Sequence, residues 1–235
     1  MAADRPSPSE PSPAAGAAPA CPSCGAAPGS TLACLACGAV LEEPEDASHF
    51  ARLGLVPDAA FDADAAELTY LRLSRLLHPD HQADASPEVQ ERALRNIALL
   101  NEAWTVLNDD QERVEYLLEH HDPGALERHK KLSPAFLMEA MEISEELEEA
   151  HDTGCQDTIH RIAKLAQEGI DERMHGVASA CSDTMERIAH EGHVHEDARP
   201  TRLLPPHDWN TEQIAVLLHQ ARVYRRILRD TGVRT

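Results

Sequence analysis

The stretch SRLLHPDHQ, residues 74–82, decides how the chain is read. Pro79 pushes the residue before it out of the α region, so a helix carrying Tyr70, Leu73 and Leu77 on one stripe is expected to end at His78. The proline ring also fixes the backbone of the turn, which presents the imidazole of His78 and the carboxylate of Asp80 outward. Upstream, DADAAELTYLRLSRLL (62–77) supplies the helix, with Arg72 and Arg75 three residues apart and off the apolar stripe. Downstream, SPEV (86–89) offers a Ser cap and a proline at the first helical position. A second helix from Val89 to Leu107 then carries Ala93, Ile97, Leu100, Trp104 and Leu107 on one face. Two antiparallel helices joined by a rigid polar His-Pro-Asp turn are expected.

Composition points to helices throughout. Aromatic residues make up 3% of the 235, and the apolar remainder is mostly Ala and Leu, so an all-α protein of one or two domains is expected. Lys plus Arg number 21 against 41 Asp plus Glu, a formal net charge of −20. That balance repels phosphate backbones and anionic lipid, so neither nucleic acid nor membrane is expected as a partner. No run of about 18 apolar residues occurs, and the first residues resemble neither a secretory leader nor an Arg-rich presequence. A cytoplasmic location is the expectation.

Residues 1–20, MAADRPSPSEPSPAAGAAPA, hold too little large apolar surface to offset ordering entropy and read as a disordered tail. A cysteine-rich module spans 21–42, and the His-Pro-Asp hairpin with RVEYLLEH (113–120) fills 48–122 up to the break HDPG. From 131 to 232 three amphipathic helices can close a bundle. The first starts at Ser133-Pro134 and ends near Gly154. The second carries apolar residues at 159, 162, 163, 166, 170, 174, 177, 181, 185 and 188, with Gly169 and Gly176 as weak points. The last, 210–229, turns Ile214, Leu217, Leu218, Ala221, Tyr224 and Leu228 inward.

Cys21, Cys24, Cys34 and Cys37 form two Cys-x-x-Cys pairs nine residues apart, each followed by Gly. A tetrahedral zinc site needs this pattern: each pair makes a tight knuckle, and the loop lets the knuckles face each other. Gly25 and Gly38 permit the positive-φ turn that aims backbone N–H groups at sulfur. A structural Zn²⁺ is the expected cofactor, and four thiolates leave no position for a reactive water. Two disulfides, free thiols, a redox pair or an iron–sulfur cluster are the competing readings. Cys155 and Cys181 stand alone and are expected to be buried as small apolar residues.

The His-Pro-Asp turn between antiparallel helices, with Arg72 and Arg75 on the first, resembles the J-domain of DnaJ-type co-chaperones. HFARLGL (49–55), LRLSRLLHPD (71–80), NEAWTVLNDDQERVEYLLE (101–119) and SPAFLMEAMEISEELEE (133–149) together resemble HscB, the J-protein of iron–sulfur cluster biogenesis. The cysteine quartet is similar to the zinc-binding extension of some HscB proteins. The resemblance implies a J-domain hairpin followed by a carboxy-terminal three-helix bundle. It also implies that His78, Pro79, Asp80, Arg72 and Arg75 engage a DnaK/HscA-type heat-shock chaperone and stimulate its ATPase, with no catalysis by this chain. Two departures stand out. His81 follows the motif where the family usually has a basic residue, and the segment from about 186 to 206 is longer than the family's loop.

On a helical wheel Phe136, Ala140, Ile143, Leu147 and Ala150 share a stripe that seats the helix in its bundle. Leu137, Met138 and Met141 lie roughly opposite, interleaved with Glu142 and Glu145. Apolar residues on a face free of core duty point to a partner surface, with methionine adapting to an irregular partner and the carboxylates steering a basic one. The resemblance implies that these five residues contact an iron–sulfur scaffold protein, with Val223 and Tyr224 extending the patch. Burial of Leu137 and Met138 under the amino-terminal half is the competing reading. The acidic stretches EEPED (42–46) and EISEELEEAHD (142–152) read as mostly solvated, and His190, His193 and His195 read as a solvated loop ahead of a second metal site. A zinc-module regulator of nucleic acid lacks the basic stripe it would need, and a general J-protein lacks its Gly/Phe-rich and cysteine-repeat regions.

Overall fold

The computed structural model describes residues 20–57, 62–190 and 209–233, with the backbone alone at 182–190. The tail at 1–19 and the loop containing His193 and His195 lie outside the described residues, as does the side chain of His190. In chain order the helices are α1 (His49–Leu53), α2 (Ala63–Leu77), α3 (Pro87–Asn108), α4 (Asp110–His121), α5 (Ala125–Arg128), α6 (Pro134–Thr153), α7 (Gln156–His190) and α8 (Thr211–Asp230). Among the described residues the protein is all-α, with an isolated antiparallel bridge between Ala33 and Val40.

Local sequence explains the helix ends. Asp62 caps α2 by accepting from the Ala65 N–H, and His78 closes it in an extended conformation before Pro79. Ser133 caps α6 from just ahead of Pro134, and Gly154, at φ 67°, ends it with N–H bonds back to Ala150 and His151. Ser86 sits at the cap position of α3 but makes no capping bond; its hydroxyl turns to Glu88.

Tertiary packing adds what periodicity could not. The α2–α3 hairpin closes over Leu73, Leu77, Ala93, Leu100, Ala103 and Leu107, with Phe50 and Leu53 of α1 inserted and Tyr70 stacked on Trp104 at 4.8 Å. Helices α6, α7 and α8 bury Phe136, Ala140, Leu147, Ile162, Ala166 and Tyr224 between them. A third cluster joins the halves: Val114 and Leu118 of α4 meet Val177 and Cys181 of α7 and Ile214, Ala215 and Leu218 of α8. Two ion pairs reinforce this seam, Arg222 with Glu115 and Arg225 with Asp109 at 2.8 Å.

Neither glycine breaks α7. The helix continues through both: a side chain at Gly169 would meet the Tyr224 ring at 2.9 Å, and Gly176 likewise gives room to Leu217 at 3.2 Å. The weak points expected from sequence are close-packing sites. Glu43, expected in a solvated stretch, pairs with Arg52 at 2.5 Å, and Glu42 pairs with Arg92 at 2.7 Å, so the segment before α1 is pinned down and is not helical.

Candidate metal centre and partner surfaces

Two knuckles shape the cysteine cluster. In the first, Gly25 at φ 73° donates to the Cys21 carbonyl and Cys21 donates to Ala26; in the second, Gly38 at φ 79° donates to Cys34 and Cys34 donates to Ala39. The repeated geometry explains the repeated sequence. The four thiols are free and their sulfurs lie within 4.8 Å of one another, with Cys21–Cys37 at 3.7 Å and Cys24–Cys34 at 3.8 Å. Tetrahedral thiolate coordination at a metal–sulfur distance of ~2.3 Å requires a sulfur–sulfur separation of about 3.8 Å, so the quartet could hold a metal ion. A disulfide would need about 2.05 Å. Burial opposes ionisation of Cys21, but the N–H groups of Cys24 and Ser23 and the neighbouring thiols outweigh it and lower its pKa, whereas Cys37, despite the Ala39 N–H, is raised by the same thiols, so the four share their protons as a set.

Asn96 went unnoticed in the sequence because an amide on a helix carries no spacing signal. It is 2% exposed, and its Nδ2 donates to the carbonyls of Leu32 at 2.8 Å and Leu41 at 2.9 Å. Those two carbonyls flank the second knuckle, so α3 grips the cysteine module from below. From α2, Arg72 Nη2 donates to the Leu35 carbonyl at 2.5 Å, and Leu76 lies against Gly38.

At the turn, His81 and Gln82 donate to the His78 carbonyl at 2.9 and 3.2 Å, and the Gln82 side chain reaches back to Leu76 at 2.7 Å. The Asp80 N–H donates to His78 Nδ1 at 3.2 Å. His78, Pro79 and Asp80 are exposed, and an open depression beside them is lined by Ser74, Arg75, His78, Asp80 and His81.

On α6 the stripe Phe136, Ala140, Leu147 and Ala150 is buried, whereas Leu137, Met138 and Met141 are 45%, 61% and 62% exposed, with Glu142 and Glu145 exposed beside them. Among the described residues, nothing in the amino-terminal half buries them. Tyr224 does not extend this patch: it is 3% exposed, its ring edge-on to Phe136 at 5.6 Å and seated on Gly169. Val223 is partly buried against the same cluster. Both residues hold α8 in the bundle. Cys181 is buried as expected, but Cys155 is exposed, immediately before α7, where the Thr158 hydroxyl at 3.3 Å lowers its pKa.

The helical part of this chain, a hairpin joined through a packed seam to a three-helix bundle, has the fold of solved HscB co-chaperones. The human co-chaperone protein HscB superposes with a TM-score of 0.58 at 21% identity, covering 90% of this chain and 97% of that one. Chaperone HscB from Vibrio cholerae gives 0.51 at 20% identity, covering 79% of this chain and 95% of the other. Residues 132–192 match the family model of the HSCB C-terminal oligomerisation domain, so the chain carries that domain on an HscB fold.

Proposed function

We propose that this protein is a J-domain co-chaperone that delivers an iron–sulfur cluster scaffold protein to a DnaK/HscA-type heat-shock chaperone and stimulates that chaperone's ATPase. The chain performs no catalysis of its own. His78, Pro79 and Asp80, with Arg72 and Arg75, form the chaperone-facing surface; Leu137, Met138, Met141, Glu142 and Glu145 form the scaffold-facing surface. Cys21, Cys24, Cys34 and Cys37 hold a structural zinc, whose full set of thiolate ligands stabilises the module without an open coordination position.

The observation that carries this reading is the exposure of Met138 and Met141 on a helix whose opposite stripe is buried. Large apolar side chains facing water beside carboxylates match a partner with an apolar, basic surface. The test is the steady-state ATPase rate of the chaperone with this protein, with and without the scaffold. Scaffold is expected to raise the stimulated rate further, and the Met138→Ala/Met141→Ala double variant is expected to lose that increment while keeping the rate without scaffold. Stimulation indifferent to scaffold would favour a general J-protein.

A further inference from the structure

The cysteine module does not hang from the hairpin as an independent bead. Leu32 and Ala33, from the loop between the knuckles, are part of the hairpin's own core, together with Leu73, Leu77 and Leu100. Asn96 holds the carbonyls on either side of the second knuckle, and that knuckle in turn presents the Leu35 carbonyl, from between Cys34 and Cys37, to Arg72. Arg72 also stands one helical turn ahead of Leu76, against which Gly38 lies.

We propose that this continuous chain of contacts makes Asn96 and Arg72 positioning residues that couple metal binding in the tetracysteine module to the chaperone-facing surface of α2. A metal fixes the second knuckle, the knuckle fixes the Leu35 carbonyl, and the carbonyl fixes the guanidinium of Arg72. Arg72 remains exposed and has five N–H donors, so one bond to Leu35 leaves the others for a partner. The bond therefore orders the cation rather than consuming it, and an ordered side chain spends less conformational entropy on binding. Because coupling of this kind is reciprocal, the chaperone must also tighten the module's hold on its metal.

This inference rests on the co-chaperone reading for its partner, and two measurements separate the fates of the two. The first is zinc transfer from the full chain to a chromophoric chelator, for wild type, Asn96→Ala and Arg72→Ala. Both variants are expected to give up zinc more readily, Arg72→Ala by about three- to tenfold, the range one hydrogen bond supports. Arg72 is on the surface, so this variant reports on coupling even if Asn96→Ala disrupts folding. Retention of zinc by Arg72→Ala equal to wild type would overturn the coupling without reference to any chaperone.

The second is the affinity of the zinc-loaded and zinc-stripped chain for the DnaK-type chaperone. Stripping is expected to weaken wild type by a similar factor and to leave Arg72→Ala, already weaker, unchanged. An equal loss in wild type and Arg72→Ala would show that the metal does not act through Arg72. Absence of any chaperone binding would defeat the co-chaperone reading alone, with the coupling judged on zinc transfer.

Discussion

Around Cys21, Cys34 and Leu41 the amino-terminal module buries a cluster of three residues, whereas α6, α7 and α8 share a continuous apolar interior from Phe136 to Ile227. The module has too little apolar surface to be held by burial alone, so it depends on four sulfurs, on Asn96 and on a shared edge with the hairpin core. The bundle has its own inter-helix pairs, such as Arg161 with Glu146, but its continuous core depends on close packing, down to a glycine opposite a tyrosine ring. Damage to the first should therefore depend on metal and reach the hairpin it touches but not the bundle, and damage to the second should lower stability as a whole.

The largest effect is expected at the metal centre. Cys34→Ser removes a fully buried member of the candidate ligand set and is expected to weaken zinc binding sharply, because the hydroxyl or water oxygen left in its place is a far poorer zinc ligand than a thiolate. Hydrogen exchange should then show residues 21–41 losing protection while α6 and α8 keep theirs. Loss of protection across the bundle would mean that the two regions are not separable in this way.

Within the bundle, Gly169→Ala brings a methyl group to the Tyr224 ring at 2.9 Å. Overpacking of this kind costs about 1–3 kcal/mol, and the ~1 kcal/mol gained in helix propensity offsets only part of it. A fall of a few degrees in Tm, without change in zinc retention, is expected by thermal unfolding. An unchanged or raised Tm would show that the ring yields freely.

The smallest effect concerns pH. Burial, reinforced by the charge of Arg52, holds the His49 imidazole below its usual 6.5. The folded state thus binds a proton less readily than the unfolded chain, so stability is full above pH 6.5 and declines as pH falls through the folded value. His49→Gln should flatten the stability profile below about pH 6.5 by comparison with wild type, as read from urea midpoints. Parallel profiles would remove His49 as the source.

These contrasts also explain what could be read from the sequence. Pro79, Ser133 and Gly154 act on their immediate neighbours, so the helix ends they set were legible, as were the two knuckles made by Gly25 and Gly38. The outward placement of Met138 and Met141 was legible from periodicity because one stripe of α6 suffices to seat it. Asn96 and Asp109 were not, because their partners are distant in sequence; Tyr224 is buried as its periodicity indicated, against the place on the partner patch that the resemblance implied. Asp109 caps α4 locally by accepting from Gln111 and Glu112, and it also accepts from Arg225 across the seam between the halves. Burial alone would raise that carboxyl; the Arg225 guanidinium and the two N–H donors hold it below the usual carboxylate range. Cys155 shows the same limit in reverse: its burial was inferred from residue type, but the turn after Gly154 leaves it at the surface.

The most direct measurement is the ATPase rate of the DnaK-type chaperone with wild type and with His78→Gln. His78 is exposed and its turn is held by backbone bonds and by Gln82, so the variant should keep wild-type circular dichroism and zinc content. The expected result is stimulation by wild type and the chaperone's basal rate with His78→Gln. No stimulation by wild type would contradict the co-chaperone reading at its centre, and equal stimulation by both proteins would contradict its placement on the His78 turn.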